Sequence, residues 1–180
     1  MSDPGNRGVE AAIRPPSARG FWLWAPAFVA LIVGTQIVDT SPAPLMRGLS
    51  LTLLGMAVVF GGLPFVQLRR YGAAPSGERY MATTAVARRG LYAVVRHPQY
   101  LGYDFLVWGF ATSRPHWGTI LPAIVFTAAF AAQARVEERY LLEKFGDAYR
   151  AYMRTVPRFG LLTGLVRYVR QRWRDRRKAR

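Results

Sequence analysis

The sequence predicts an all-α, polytopic membrane protein of about four transmembrane helices, with a C-terminal helical hairpin and cytoplasmic amphipathic helices. Two observations predict it: apolar runs long enough to span a bilayer, and basic residues confined to alternate connecting segments. Hydrophobic residues make up 51% of the 180-residue chain, although its formal net charge is +15. A soluble nucleic-acid-binding protein can carry a similar positive charge, but its basic residues would not be confined to alternate segments between apolar runs. We therefore expect no nucleic-acid partner.

The first two spans are predicted over residues 21–38 and 48–68. The first run, FWLWAPAFVALIVGTQIV, would rise about 27 Å as a helix, close to the ~30 Å thickness of the hydrocarbon layer. Trp22 and Trp24 stand at its start, as aromatic residues do at membrane interfaces. A signal peptide is the alternative, but its apolar core would be unusually long and no clean small-residue cleavage site follows.

The third and fourth spans are predicted over residues 98–113 and 117–136, joined by the turn signal Arg-Pro-His at 114–116. The third run is short for a span, so we interpret the pair as a helical hairpin whose first arm starts near Pro98. Asp104 lies inside that arm, and because a carboxylate in lipid is costly it should face the bundle interior. A polar helix should continue the fourth span and end at Pro157.

The distribution of charge predicts the orientation of these spans. Residues 1–20, the connection between spans two and three, and the chain after the fourth span together hold 23 of the 25 basic residues. The positive-inside rule therefore places both termini in the cytoplasm, with residues 1–20 as an N-terminal tail and residues 21–159 as the membrane domain.

Residues 160–180 are predicted to form a basic amphipathic segment. Apolar residues recur every four positions from Leu161 to Trp173, and the stretch Arg167 to Arg180 holds eight basic residues and one acidic residue. Such a helix fits the surface of a bilayer that contains anionic lipids, which we expect as a partner. A solvated, disordered basic tail is the alternative.

Two polar clusters are candidates for chemistry. RHPQYLG, from Arg96 to Gly102, lies where the third span begins, and a helix N-terminus there offers free amides to an anion while Arg96 adds a cation. The segment Glu137 to Tyr152 follows the fourth span and begins with paired carboxylates, which suit a cationic or polyhydroxyl ligand. Each cluster alone fits an ordinary membrane flank or solvated helix turn. The hairpin, however, brings both to the same membrane face, where they would form one pocket.

These two clusters resemble a known family. GLYAVVRHPQYLG (Gly90 to Gly102) and EERYLLEKFGDAYRAYMRTVPRF (Glu137 to Phe159) are similar, in order and spacing, to the integral membrane methyltransferases typified by isoprenylcysteine carboxyl methyltransferase, with phospholipid N-methyltransferases as relatives. The resemblance covers roughly residues 90–159. The first two spans match only as generic helices.

The resemblance implies S-adenosylmethionine as the methyl donor, bound without a dinucleotide-binding fold; the chain has no GxGxxG after a strand. By position it implies a cofactor site formed by His97, Tyr100, Gly102, Glu137 and Glu138. Arg96 and Glu138 are the predicted catalytic residues, and Arg96 is the candidate that orients an acceptor carboxylate. The resemblance also implies that two tyrosines pack behind the pocket, Tyr149 and Tyr152.

The acceptor is expected to be a lipophilic carboxylate or amine at the cytoplasmic membrane face, with Asp104, Arg154 and Arg158 as candidate substrate-binding residues. Prenylcysteine methyltransferases that resemble this chain tend to carry a basic residue directly before the Val-Pro of this segment, where Thr155 stands here. A threonine hydroxyl makes no bidentate pair with a carboxylate, so either an arginine beside it reaches that carboxylate or the acceptor is not a prenylcysteine.

Two other functions remain open from the sequence. A membrane reductase that binds NADPH is similar over the C-terminal region, although such reductases usually have more spans. A non-catalytic scaffold that keeps the fold is the other alternative. Because the chain has no cysteine and only two histidines, we expect no metal site.

Overall fold

The computed structural model describes residues 21–37, 42–73 and 83–178, and these form five α-helices and no strand. The helices, in chain order, are α1 (Phe21–Ile37), α2 (Pro44–Tyr71), α3 (Pro98–Ser113), α4 (Trp117–Thr155) and α5 (Leu161–Lys178), and a short 3₁₀ helix, Gly90–Ala93, precedes α3. The all-α prediction is confirmed over these residues. The predicted tail at 1–20 lies outside them.

The predicted hairpin is confirmed, and its ends follow from local sequence. Pro98 begins α3, because a proline in the first turn loses no hydrogen bond. His116 caps α4: its Nδ1 accepts from the Gly118 amide at 3.1 Å, and its backbone amide bonds the Thr119 hydroxyl in a capping box. The other ring nitrogen of His116 lies 3.1 Å from the carbonyl oxygen of Gly34 and so joins the turn to α1.

Two helices of the described residues, α2 and α4, are long and apolar enough to cross a membrane. The apolar part of α1, Ala25–Ile37, and the 16-residue α3 are shorter, so the four-span arrangement stays a prediction. At 1.5 Å per residue the 39 residues of α4 extend about 58 Å, roughly twice the hydrocarbon thickness. If residues 117–136 span the membrane as predicted, the rest of α4 lies outside it.

A core of buried side chains holds α1, α3 and α4 together. It consists of aliphatic and aromatic residues: Leu31, Val107, Ala111, Ala123, Phe126 and Phe130. Asp104 contacts α4, as predicted, because the Thr127 hydroxyl donates to its carboxylate at 3.0 Å. The same hydroxyl accepts from the indole N–H of Trp108 at 3.1 Å, so one threonine joins two residues of α3.

Helix α2 packs closely on α3 at Gly102. A Cβ at that glycine would lie 2.6 Å from the amide nitrogen of Gly61 and 2.6 Å from the carbonyl carbon of Phe60, so the two backbones touch there. Two turns further along α3, the hydroxyl of Ser50 donates to the carbonyl oxygen of Gly109 at 2.8 Å. These contacts fix the start of α3 relative to α2.

The polar continuation of α4 ends at Thr155, just before Pro157, as predicted, but the helix is not straight. Gly146 has φ 53° and ψ −127°, a left-handed conformation that a residue without a Cβ tolerates. The helix changes direction there. The sequence analysis did not predict this kink.

Candidate functional site

The two predicted clusters meet at one end of the hairpin, where they line a cavity of about 160 Å³. Its walls come from the end of α2, the segment before α3, the first turn of α3, the outer part of α4 and the loop that follows residue 82. The lining residues are mostly apolar or aromatic: Leu68, Thr83, Ala85, Val86, Ala87, Tyr92, Arg96, His97, Pro98, Gln99, Tyr100, Glu137, Tyr140, Leu141, Phe145, Tyr149 and Tyr152.

Glu138 is 3% exposed and lies at the centre of a charged cluster beside this cavity. Its carboxylate forms an ion pair with Arg96, whose Nη2 lies 3.2 Å from one oxygen, and His97 Nε2 lies 3.2 Å from the same oxygen. Arg158 donates through Nε, 3.0 Å from each carboxylate oxygen, and through Nη2 as well. We call these four residues the Glu138 cluster. Three basic side chains around one buried carboxylate satisfy it fully.

The cluster keeps Glu138 ionised. Burial alone would raise the pKa of this carboxyl, but the hydrogen bonds from His97 and Arg158 and the positive charge of Arg96 outweigh burial and lower the pKa to about 2. Correspondingly, the hydrogen bond to Glu138 raises the pKa of the Arg158 guanidinium. Glu138 does not line the cavity, so its charge acts on the basic residues that hold it.

Glu137, the neighbouring carboxylate, faces the cavity and bonds differently. The Tyr100 hydroxyl donates to its Oε2 at 2.8 Å, and His97 Nδ1 lies 3.8 Å from the same oxygen. The rings of His97 and Tyr100 stack with 5.4 Å between centroids and 8° between planes. Because these two rings come from the start of α3 and the carboxylates from α4, the site depends on the hairpin.

Backbone hydrogen bonds fix the segment that carries Arg96 and His97. The amide of Arg96 donates to the carbonyl of Pro157 at 3.0 Å, and the amide of His97 donates to the carbonyl of Arg158 at 3.3 Å. The ring of Phe159 lies 5.8 Å from that of His97. Residues 157 and 158, after α4, therefore hold residues 96 and 97, before α3, through main-chain hydrogen bonds. These bonds use backbone carbonyl groups and do not depend on the side chains at 157 and 158.

Arg96 retains unused hydrogen-bonding capacity. Its Nε and Nη1 atoms are buried and have no partner among the described residues, while Nη2 bonds Glu138. A buried N–H of a guanidinium without an acceptor costs free energy, so the arrangement calls for an anionic or polar ligand. Since Arg96 lines the cavity, that ligand would be bound there.

The two predicted tyrosines, Tyr149 and Tyr152, are buried and line the cavity. Their rings lie 5.7 Å apart, and the hydroxyl of Tyr152 donates to the carbonyl oxygen of Tyr92 at 2.6 Å. Burial raises the pKa of both phenols above the ordinary tyrosine value. They are neutral donors and packing groups at physiological pH.

The structure brings together six predicted site residues: Arg96, His97, Tyr100, Glu137, Glu138 and Arg158. Three others lie apart from them. Gly102 packs against α2, Asp104 bonds Thr127, and Arg154 is exposed. None of these three lines the cavity, so their predicted roles in binding cofactor or substrate stay predictions.

Sequence reasoning missed part of the wall. Tyr140, Leu141 and Phe145 share the cavity-facing side of α4 with Glu137, and their three-to-four-residue spacing was a readable signal. The loop residues Thr83 to Val86 carry no pattern that marks them as lining residues. Neither set provides a charged group.

Comparisons with known proteins give a family and several relatives. Residues 44–148 match the family model described as "Phospholipid methyltransferase". No solved structure matches the chain.

Two kinds of enzyme stand among the relatives. The protein-S-isoprenylcysteine O-methyltransferase of Schizosaccharomyces pombe is 38% identical over 71 residues, which are 38% of this chain and 29% of that protein. Methanethiol S-methyltransferase 2 of Bradyrhizobium diazoefficiens is 30% identical over 173 residues, which are 89% of this chain and 59% of that protein. The methanethiol S-methyltransferase of Pseudomonas deceptionensis is 36% identical over 66 residues, 37% of this chain and 24% of that protein. The chain thus spans less than two thirds of the length of each.

Proposed function

The chain belongs to the phospholipid methyltransferase family, and on that premise we propose that it transfers a methyl group from S-adenosylmethionine to a lipophilic acceptor at a membrane surface. The observation that carries the proposal concerns Arg96. Two of its guanidinium nitrogens are buried without a partner among the described residues, in the lining of a cavity that also holds the carboxylate of Glu137. The relatives, which are O- and S-methyltransferases by name, support the same reaction class.

The cavity residues fit S-adenosylmethionine. The amino-acid part of this molecule carries one carboxylate and one ammonium, which match Arg96 and Glu137. The remaining wall is aromatic and aliphatic, and it suits a purine and a sulfonium. We propose that Arg96 binds the carboxylate, that Glu137 binds the ammonium through its free oxygen, and that Tyr100 fixes the orientation of Glu137 through the 2.8 Å hydrogen bond.

When bound, S-adenosylmethionine supplies a methyl group on a positively charged sulfur: the acceptor forms the new bond to carbon, and the electrons of the C–S bond stay on sulfur. An activated methyl needs alignment and exclusion of water more than acid–base catalysis. The buried tyrosines and the aliphatic wall provide the dry surroundings. Arg96 and His97 hold the donor side of the cavity in one geometry.

We propose that Glu138 and Arg158 are positioning residues. Glu138 does not line the cavity, but it holds Arg96 and His97, which do. Arg158 neutralises the same carboxylate and keeps it in place. The role of Glu138 proposed here is to orient the ligand-binding cation and imidazole.

The charges of the cavity restrict the acceptor. Arg96 is the only arginine or lysine among the described lining residues, and one carboxylate, that of the methyl donor, would occupy it. Arg158 is bound to Glu138, and Thr155 donates to the carbonyl of Tyr152 at 3.0 Å. An acceptor carboxylate would therefore find no free cation there. We propose an acceptor without a carboxylate, a thiol or a lipid amine attached to an apolar group, which gives up its proton to water when its sulfur or nitrogen takes the methyl group.

The distribution of basic residues supports a position of the cavity at the cytoplasmic end of a multi-pass bundle. The acceptor would then enter from the bilayer and the methyl donor from the cytosol. We propose that a lipophilic acceptor contacts the apolar lining from α2 and α4, which includes Leu68, Leu141 and Phe145.

Ligand-dependent thermal stability of the detergent-purified protein tests the proposal. S-adenosylhomocysteine at one hundred times its Kd should stabilise the fold by about 2.7 kcal/mol and raise Tm. The rise should disappear in Arg96→Ala, His97→Ala and Glu138→Ala. Arg139→Ala, which removes an exposed arginine next to Glu138, should keep it. A rise with NADPH instead would indicate a reductase, and a rise with neither compound would favour a scaffold.

A further inference from the structure

Helix α5 has one face on the protein and one face that nothing among the described residues covers. Leu161, Gly164 and Tyr168, at a spacing of three and four, are the residues of α5 that are buried or half-buried. A second stripe of apolar side chains at helical spacing is between 48% and 78% exposed: Leu162, Leu165, Val166, Val169 and Trp173. An apolar stripe of this length on a monomer marks a surface that contacts something else.

Basic residues flank the exposed stripe. From Arg167 to Lys178 the helix carries seven basic residues and one acidic residue, Asp175. None of the seven pairs with an acidic side chain in the part of the chain that the structure describes. The guanidinium of Arg177 lies 3.7 Å from the ring centroid of Trp173, so the aromatic and cationic groups are adjacent.

The protein-facing side of α5 contacts the segment that carries the site residues. A Cβ on Gly164 would collide with the carbonyl oxygen of Val94 and lie 2.9 Å from its carbonyl carbon. Two residues further, Arg96 and His97 donate their amides to Pro157 and Arg158. Residues 94–97 are therefore held between the end of α4 and the start of α5.

We propose that α5 lies on an anionic lipid surface, and that its attachment to lipid holds residues 94–97 in the conformation that binds the methyl donor. Exposed aliphatic groups with a tryptophan enter the lipid boundary, and neighbouring arginines meet the anionic head groups. Gly164 of α5 contacts Val94, only four residues before α3 begins, which keeps α5 at the end of the hairpin where α3 starts. The proposed lipid contact is argued from the residues of α5 alone, whereas the proposed effect of that contact on the site rests on the proposed function.

The test uses the full chain in nanodiscs of phosphatidylcholine alone and of phosphatidylcholine with phosphatidylglycerol. Hydrogen exchange of residues 161–178 should be about tenfold slower with the anionic lipid. Arg170→Glu with Arg174→Glu should abolish that difference. Arg139→Glu with Arg150→Glu, two exposed arginines on the part of α4 beyond residue 136, should retain it. Equal exchange in both lipids would overturn the proposal and point to a protein partner for α5.

The effect on the site has its own measurement, the Kd for labelled S-adenosylhomocysteine in the two kinds of nanodisc. We expect binding to be several times tighter with the anionic lipid. In Gly164→Ala the lipid should still protect α5 but no longer change the Kd, because the new methyl group separates α5 from Val94. Gly55→Ala, which has open space around it, is the control. An equal Kd in both lipids would overturn the proposed effect of the lipid on the site. Absence of binding in every lipid would contradict the proposed function. The hydrogen-exchange result would then decide the lipid contact by itself.

Discussion

Arg158 donates hydrogen bonds to both carboxylate oxygens of Glu138, 3.0 Å from its Nε to each. The two residues are twenty positions apart, on either side of the end of α4. Glu138 in turn holds Arg96 and His97 against the cavity. Under the proposed function, a residue that does not line the cavity thus positions the two residues proposed to bind the ligand.

The first prediction concerns acid. The pKa of Glu138 is lowered from its ordinary 4.5 to about 2, so its contribution to stability is present above pH 4.5 and is lost as the pH falls from about 4.5 to about 2. After allowance for screening by solvent, the stability lost over that window should be on the order of 1–2 kcal/mol. Urea unfolding in detergent should show this loss in the wild type. Glu138→Gln should be less stable at pH 7 and should lose less on acidification; equal slopes in both would contradict the assignment.

The second prediction concerns the acceptor. We expect weak or no methyl transfer to a farnesylcysteine analogue, because no cation is free for its carboxylate, and faster transfer to a long-chain alkanethiol or an endogenous lipid extract. Transfer of a labelled methyl group in purified membranes measures both. Efficient turnover of the farnesylcysteine analogue that is lost in Arg158→Ala would assign the carboxylate to Arg158 instead.

The third prediction concerns the contact between α2 and α3. Gly102→Ala should lower stability by about 1–3 kcal/mol, because its Cβ meets backbone atoms of Phe60 and Gly61 that have no room to move. Gly62→Ala, with nothing within 4 Å, is the matched control and should not lower Tm. If both variants melt alike, the close approach of the helices is not needed for stability.

The fourth prediction concerns the hydroxyl shared by Asp104 and Trp108. Thr127→Val should lower stability by roughly 1–3 kcal/mol because both groups lose their partner, whereas Thr127→Ser should keep the bonds. Asp104→Asn should remain folded, since the amide oxygen accepts the same hydrogen bond. Its methyl-transfer rate then decides the predicted substrate role: a changed rate at unchanged Tm supports it, and an unchanged rate assigns Asp104 to helix packing alone.

The fifth prediction concerns topology. Reporter fusions at the N-terminus, near Ser76 and at the C-terminus should all indicate the cytoplasm, because those segments carry 23 of the 25 basic residues. A fusion near Ser76 that reports the opposite side would contradict the four-span arrangement and the cytoplasmic position of the cavity.

The helices and the pairing of the two clusters were predictable because they follow from local signals. Pro98 and Pro157 fix helix ends by their missing amides, and the Arg-Pro-His turn separates two apolar runs. Once a hairpin is predicted, the start of α3 and the outer part of α4 must lie at the same end. That argument correctly placed His97 beside Glu138.

The side-chain geometry was not predictable in the same way. In the sequence, Gly146 is a single glycine within a helical pattern and does not by itself predict a kink. Only the structure shows its positive φ angle, at which α4 changes direction. Arg158 follows a proline, so its direction depends on the turn rather than on a helical period. Gly102 faces α2 because of the way α2 packs against α3. No signal in a single sequence specifies the register of those two helices.

The hydrogen bond from the Arg96 amide to the Pro157 carbonyl closes a loop that contains the entire hairpin. α3 and α4 must pack against each other before those two residues can meet, because closing so long a loop is otherwise entropically costly. We therefore expect the site to form only after the hairpin has formed. An error of insertion in either arm would leave helices of normal appearance with no cavity between them, so that ligand binding reports correct assembly more sensitively than helix content does.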